Sequence, residues 1–292
     1  MKEPILIEIP QDEPGYDGFI GSWLIQGAHS ILVDVGPANT AERLIARLED
    51  LGISELDYVL ITHIHIDHAG ALGPVLSRYP GAMAVCHEKA VNHVVDPQKL
   101  WQGSLKVLGD VAKMYGPPKP VSPQRVMPHT GARVEGLLII DTPGHAPHHL
   151  CYEYEGRLFA GEAAGNYLNL GDKDYLRPAT PPRFFLETFL SSIDRLLGLP
   201  DEPIYYAHFG FASSSHRMLR RFKSQVLLWA DLIEREISQG GEGLVDRCVE
   251  KLLREDGNLQ AFNEMDPEAK RRELNFMANA VKGFLGYFEE KN

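Results

Sequence analysis

Cysteine is scarce in this chain, with only Cys86, Cys151 and Cys248 among 292 residues. Three thiols so widely spaced give no disulfide framework, and a reducing compartment is their natural setting. Cys86 and Cys151 each fall in an apolar, strand-like run, where a small buried thiol is the ordinary use. Long hydrophobic runs are missing too, and none approaches the roughly 20 residues that a membrane span needs. The opening MKEPILIEIP is too short and too broken by acid and proline to read as a signal peptide. A cytoplasmic chain with no membrane partner is therefore expected. Positive charge is in deficit as well: 29 Lys and Arg against 40 Asp and Glu leave a formal charge of -11. That balance repels phosphate backbones, so no nucleic-acid partner is expected. The densest basic patch, Arg217, Arg220, Arg221 and Lys223, reads as the solvated face of a helix.

What is present is an ordinary globular composition, 44% hydrophobic, which excludes disorder. Ile5–Ile9, Ile20–Gln26 and Ser30–Asp34 are short Ile/Leu/Val runs between turn residues and read as strands. Over Asn39–Leu51 the period changes to helical, with Ala41, Leu44, Ile45 and Leu48 on one face and Gly52 as a stop. Leu56–Thr62 then reads as a buried strand, Ala71–Tyr79 as a helix and Ala82–His87 as a strand, the grammar of an α/β sandwich. Residues 92–128 are an excursion: a helix over Lys99–Met114, then GPPKPVSP, a rigid connector and candidate wall of an active site. Strands resume at Arg125–His129, Val134–Asp141, His149–Tyr154 and Arg157–Ala160, with Glu155-Gly156 as a hairpin turn. A helix over Pro181–Leu196 and a strand over Glu202–Ala207 follow. Beyond His208 the strand signal ends, and Ser214–Ser238, Glu242–Glu255 and Pro267–Glu290 read as three helices. The expected organisation is a catalytic domain over 1–212 and a C-terminal helical subdomain over 213–292 that either covers the site or makes a subunit contact, so that a homodimer is one expected partner state.

The chemistry concentrates in His63-Ile64-His65-Ile66-Asp67-His68, which follows directly on a strand. A loop there can aim alternate side chains at one point while the apolar residues between them anchor the backbone. Three imidazoles and a carboxylate suit zinc or another borderline divalent metal. One loop does not close a two-metal site, and His145, Glu162 and His208 each stand just past another apolar run, as if several strand ends faced one cleft.

The DVG turn at 34–36, THIHIDHAG, TPGH, the acid after FAG and the final strand-end histidine occur in the order of the metallo-beta-lactamase superfamily, which residues 18–210 resemble. The resemblance implies a four-layer αββα sandwich, here with a C-terminal helical extension, and a site at one edge of two facing sheets. By motif, His63, His65 and His145 would bind a first metal and Asp67, His68 and His208 a second. Glu162 stands where the family's bridging aspartate would be, one methylene longer. Asp34 and His149 would support the ligands from behind, and His148 is an extra imidazole without an assigned purpose. Two divalent ions, zinc first and iron, mixed iron and zinc or manganese as alternatives, would prepare hydroxide for attack on a small ester, thioester or lactone. Glyoxalase-II-type thioesterases and lactonases are the branches the motifs resemble most. Iron-dependent oxidoreductases of the same fold and phosphodiesterases are the alternatives. Asp67 is expected to orient the nucleophile or take a proton. Tyr167 or Tyr205 is expected to donate to the developing oxyanion, while strand alternation turns Tyr206 the other way.

Overall fold

The computed structural model describes residues 2–182 and 184–291. The first sheet takes its strands in chain order: β1 (Ile5–Glu8), β2 (Gly21–Gln26), β3 (Ser30–Val33), β4 (Tyr58–Leu60), β5 (Met83–Cys86) and β6 (Val126–Pro128). The first three are antiparallel, and β3 to β6 pair in parallel through helical crossovers. Those crossovers carry α1 (Ala41–Asp50), α2 (Ile66–Ala69), α3 (Leu72–Arg78), α4 (Val91–Val95), α5 (Gln98–Leu108) and α6 (Asp110–Tyr115). The second sheet holds β7 (Leu137–Asp141), β8 (Leu150–Tyr154) and β9 (Leu158–Gly161). A separate hairpin, β10 (Asn166–Asn169) with β11 (Asp174–Arg177), and helix α7 (Leu186–Leu197) precede its last strands, β12 (Ile204–Tyr206) and β13 (Phe211–Ala212). Its spatial order is β13-β12-β9-β8-β7, with β12 and β9 parallel.

Side-chain alternation explains why the sheets stack. Trp23, Ile25, Ile31, Val33, Leu60, Val85, Leu150, Tyr152, Phe159 and Tyr205 form one apolar cluster contributed by both sheets. Their strand neighbours Leu24, Leu32, Val59, Ala84, Cys151 and Leu158 belong to the other cluster, shared with the helices. A period-two pattern that is apolar at every position can only be satisfied with cover on both faces. The result is an α/β sandwich flanked by helices, as the motifs implied. Tyr205 and Tyr206 divide between the two clusters as alternation requires. All three cysteines are free and buried.

Several boundaries differ from the sequence reading for local reasons. The helix expected over Lys99–Met114 breaks into α5 and α6 at Gly109, whose φ of +58° a helix does not tolerate. The helix expected from Pro181 starts at Leu186, because Phe185 is still extended; Arg183, within the expected span, lies outside the described residues. Glu155 and Gly156 both take positive φ, as a tight hairpin between β8 and β9 demands. The hairpin of β10 and β11 had no sequence expectation at all. Each of its strands is four residues long, too short for periodicity to register.

After β13 the chain is helical: α8 (Ser215–Gln239), α9 (Leu244–Glu255), a 3₁₀ segment at Gly257–Glu264 and α10 (Pro267–Lys291). Ser214 starts α8 by accepting from the Arg217 N–H (3.1 Å), a side-chain N-cap. Met218, Phe222, Val226, Trp229 and Ile233 form its buried stripe and join the same apolar cluster as the sheet. Of the basic patch, Arg217 and Arg220 are exposed. Arg221 instead grips Asp174 of β11 through two bonds of 2.6 and 2.8 Å, and Lys223 pairs with Asp194 on α7. Asp256 fastens the far end: its Oδ2 accepts from Trp229 Nε1 (2.8 Å) and Gln225 Nε2 (2.6 Å), and its Oδ1 from the Asn258 N–H (2.9 Å). No helix among the described residues is long and apolar enough to cross a membrane.

Replacing Asp256 with Ala leaves the buried Trp229 N–H unpaired and takes from Gln225 Nε2 one of its two acceptors, the other being the Leu176 carbonyl, and each such loss costs about 1–3 kcal/mol. Urea unfolding of the Asp256→Ala variant is therefore expected to show a stability loss of about 2–4 kcal/mol with an unchanged m value.

Candidate metal centre

The parallel pairings bring the carboxyl ends of β4, β9 and β12 to one edge of the sandwich, and the β7–β8 corner meets them there. His63, Glu162, His208 and His145 stand just beyond those four ends. Helix α2 opens on His65 and carries Asp67 and His68. All seven residues expected from the sequence converge in two groups: His63, His65, His145 and Glu162 in one, and Asp67, His68 and His208 in the other. Within each group the ligand atoms lie within 4.8 Å of one another. Glu162 joins the two. Its Oε2 lies 2.7 Å from His145 Nε2, 3.2 Å from His63 Nε2 and 3.8 Å from His68 Nε2, while its Oε1 lies 3.1 Å from His208 Nε2. The extra methylene of glutamate thus leaves the carboxylate in reach of both groups.

The tautomers follow from what each outer ring nitrogen touches. His145 Nδ1 faces the Ala179 carbonyl at 2.8 Å and His208 Nδ1 the Phe19 carbonyl at 3.1 Å. Carbonyls only accept, so each Nδ1 carries the hydrogen and each neutral Nε2 presents a lone pair. His68 Nδ1 donates to Asp34 Oδ2 (3.1 Å). The Thr62 hydroxyl donates to the same Oδ2 (2.7 Å) and so is left to accept from His63 Nδ1 (3.1 Å). His65 turns its Nδ1 inward, 3.0 Å from His63 Nε2 and 2.9 Å from His145 Nε2. Four imidazole lone pairs therefore converge on a carboxylate that also only accepts. Such a set is mutually repulsive until cations stand among its members, and the donors fit divalent metal ions.

The electrostatics agree. Burial, then the neighbouring imidazoles of His68 and His65, holds His63 well below the usual histidine range; burial and His145 do the same to His65. Burial opposes ionisation of Glu162, but His145, His208 and His63 outweigh it and hold the carboxyl well below its usual range. Burial likewise opposes charge on His68, yet Asp67, Asp34 and Glu162 lift it to about 10.

The supporting layer explains how the loops hold these positions. Asp34 adopts φ +55°, a conformation costing a non-glycine residue about 1–2 kcal/mol. In it, Oδ1 takes the Thr62 N–H (2.8 Å) and Oδ2 serves both Thr62 and His68. His149, buried beneath the site, accepts the Glu162 N–H on Nε2 (3.0 Å) and donates from Nδ1 to the Thr142 hydroxyl (2.9 Å). Gly161 has φ +52°, and a Cβ there would lie 2.4 Å from His149 Nε2, so the FAG motif needs its glycine for the Glu162 backbone to reach that ring. His148 stands beside the first group with its ring 6.5 Å from that of His63; burial and His145 lower its pKa to about 4, and its Nδ1 has no partner among the described residues.

The two expected tyrosines are placed elsewhere. Tyr167 stacks on Tyr206 (4.7 Å, 22°) and flanks Gly210, while its strand neighbour Asn166 faces the site, its Nδ2 3.4 Å from Glu162 Oε1. Tyr205 lies between the sheets and donates to Glu3 (3.2 Å). What the sequence reading missed is a path from the C-terminal helix. Asn166 pairs across the hairpin with Arg177, which is buried and paired with Glu273 of α10. Glu273 also accepts from Arg272 (2.9 Å), whose guanidinium lies over Phe19 (4.0 Å), and Phe19 packs on the His208 ring (4.4 Å). Its trace in the sequence is slight: Arg272 and Glu273 stand one helical turn before the apolar Phe276 and Met277, on the same face of α10.

This fold and this donor set define a class: a dinuclear metal-binding site of the metal-dependent hydrolase type on an αββα scaffold. The metallo-beta-lactamase superfamily model matches residues 15–208, and the chain belongs to that superfamily. The metallo-beta-lactamase fold-containing protein ST1585 of Sulfurisphaera tokodaii is 31% identical over 192 residues, 63% of this chain and 70% of that protein. The hydroxyacylglutathione hydrolase of Aeromonas hydrophila is 28% identical over 196 residues, 67% of this chain and 63% of that enzyme. The crystal structure of ST1585, named there as from Sulfolobus tokodaii, aligns with a TM-score of 0.69 at 24% identity, covering 97% of this chain and 98% of that one. The metallo-beta-lactamase family protein TTHA1429 from Thermus thermophilus aligns with a TM-score of 0.65 at 23% identity, covering 99% of this chain and 93% of that one. The likeness of fold thus runs through the C-terminal helices, which the family model leaves out.

An Asp34→Asn variant keeps the shape but replaces an acceptor oxygen with a donor toward Thr62 or His68. Elemental analysis and competition with a chelator are expected to show metal affinity lower by about 10–100-fold, the range for supporting partners of metal ligands. An unchanged affinity would remove Asp34 from the supporting layer.

Proposed function

We propose that this chain hydrolyses a small ester, thioester or lactone, with His63, His65, His145 and Glu162 holding one divalent cation and Asp67, His68 and His208 a second. The observation that carries the reading is the convergence of four fixed imidazole lone pairs on the Glu162 carboxylate. Ions held there would supply Lewis acidity, lowering the pKa of a water and polarising the oxygen under attack. The donors are all nitrogen and oxygen, with Cys86 and Cys151 committed to the core. Zinc suits that set, and iron, mixed iron and zinc or manganese are the alternatives.

The protein groups then divide the work. Burial of His63, His68, His145, Glu162 and His208 keeps bulk water from the donors, while His65 in one group and Asp67 in the other stay part-exposed. In this reading Asp67 accepts a proton from the attacking water and orients it, so no serine or cysteine nucleophile is needed. The negative overall charge disfavours a phosphodiester polymer as substrate. A thioester is favoured within the ester group because hydroxyacylglutathione hydrolases are among the relatives. The iron-dependent oxidoreductase reading rests on the same donors and separates from this one by metal content and oxygen uptake.

The test is elemental analysis of untreated protein followed by a panel of esters, thioesters, lactones and phosphodiesters. The expected result is two metal equivalents per chain and turnover of at least one of the first three. His68→Ala is expected to lose about one equivalent and at least about 1,000-fold in kcat/KM, since it removes one of three ligands from a metal position. Full metal content and activity in that variant would overturn the assignment.

A further inference from the structure

The segment between β11 and α7 has no helix or strand of its own among the described residues, yet it carries the Ala179 carbonyl that holds His145 Nδ1 at 2.8 Å. Over 178–181 it takes part in no backbone–backbone hydrogen bond among the described residues. Its course is therefore set by what it packs on, and that is one face of α10. Arg177 Nε donates to Glu273 (2.5 Å), the Thr180 hydroxyl donates to the Ala280 carbonyl (2.9 Å), and the Phe184 ring meets that of Phe284 (4.7 Å). Glu273, Ala280 and Phe284 are spaced as residues in a line along one helix face. The segment is thus a strap laid along α10.

What lets the two backbones touch is Gly283, which is buried. A Cβ on it would strike the Thr180 carbonyl oxygen and lie 2.8 Å from the Thr180 carbonyl carbon and 3.0 Å from the Pro181 oxygen. These are backbone atoms that cannot swing aside. A side chain here would part strap and helix by about 1 Å before ordinary van der Waals contact returned. At Gly286, in the same helix, such a Cβ meets nothing within 4 Å. Ala179 stands one residue before Thr180, and its carbonyl is the outer partner of a ligand in the first metal group; a partner of this kind fixes the tautomer and the orientation of the ring. The second group is reached from α10 by another route. Arg272 lies over the ring of Phe19 (4.0 Å), whose carbonyl accepts from His208 Nδ1 (3.1 Å).

We propose that Gly283 is a positioning residue for the metal centre: by admitting the Thr180 backbone against α10 it sets the Ala179 carbonyl, and through it the His145 ring in the first metal group. The inference rests on the metal assignment made above for His145 and its partners. It extends that assignment to a residue outside the stretch 15–208 that the superfamily model matches. No bond is made or broken at Gly283, which acts only on where one imidazole is held. Arg272 serves His208 separately, so a disturbance at Gly283 is expected to reach one metal group and spare the other.

The experiment compares the full-length protein with its Gly283→Ala and Gly286→Ala variants. Each adds one methyl group to the same helix, and alanine is the better helix former at both places. In the metal-free proteins, NMR of the histidine ring N–H groups is expected to show the His145 proton exchanging with water at least about 10-fold faster in Gly283→Ala than in wild type, with His208 unchanged. In the metal-loaded proteins, competition with a chelator is expected to show one metal equivalent bound about 10–100-fold more weakly and the other as in wild type. Gly286→Ala is expected to match wild type in both measurements. Unchanged exchange and unchanged affinity in Gly283→Ala overturn the proposal. So does a like change in Gly286→Ala, or a loss at His145 and His208 together, since either would mark a general loosening of the helix. Should Gly283→Ala not fold, Thr180→Val decides: it keeps the side-chain shape and removes the bond to Ala280, faster His145 exchange is expected, and wild-type exchange overturns the proposal. If wild type binds no divalent metal, the metal assignment fails, and the ring N–H comparison still decides Gly283.

Discussion

The structure is organised around a repulsion that the polypeptide does not relieve by itself. Glu162 is nearly fully buried with Nε2 lone pairs of His63, His145, His68 and His208 turned toward it. Acceptors facing acceptors in a low-dielectric pocket cost free energy unless positive charge sits among them. The outer nitrogens of these rings are all committed to carbonyls, a hydroxyl or Asp34, which prevents the rings from rotating away. The strain at Asp34 and the close approach of Gly161 to His149 are what this arrangement requires of the backbone. The folded chain thereby holds a donor set that fits a pair of divalent cations.

That commitment extends well past the loops that carry the ligands. Phe19 connects His208 to Arg272, and Asn166 connects Glu162 to the strand position paired with Arg177; both lines end on Glu273. A buried glutamate between two buried arginines is costly to assemble and costlier to break, since removing one member strands a charge. The C-terminal helices therefore do more than cover apolar surface. Through Phe19 and through the β10–β11 hairpin they connect to one ligand in each metal group.

The legible part of the site was the part encoded locally. His63, His65, Asp67 and His68 lie within one loop, and His145, Glu162 and His208 each follow directly on an apolar run, so residue type and spacing sufficed to select them. Tyr167 was suggested by resemblance to lactone-cleaving relatives rather than by its neighbours, and it is turned the other way, because adjacent strand residues face opposite sides and Asn166 holds the inward place. The helices were legible through their 3.6-residue period, but the break at Gly109 and the late start of α7 depend on single backbone conformations that periodicity averages over. The hairpin over 166–177 was invisible because strands of four residues carry almost no periodic signal.

The sequence by itself determined the chemistry of the ligands, the two-sheet sandwich with its trailing helices, and the edge of the fold where the ligands meet. These rest on covalent neighbours and on alternating burial, both of which are written along the chain. Tertiary structure alone decided which side chains stand behind the ligands and beside them: Asn166 and Arg177 pair across one hairpin, and Glu273 meets Arg177 from 96 residues further along the chain. Their roles depend on packing between elements, and a packed contact has no signature in a single sequence until the fold has placed both partners.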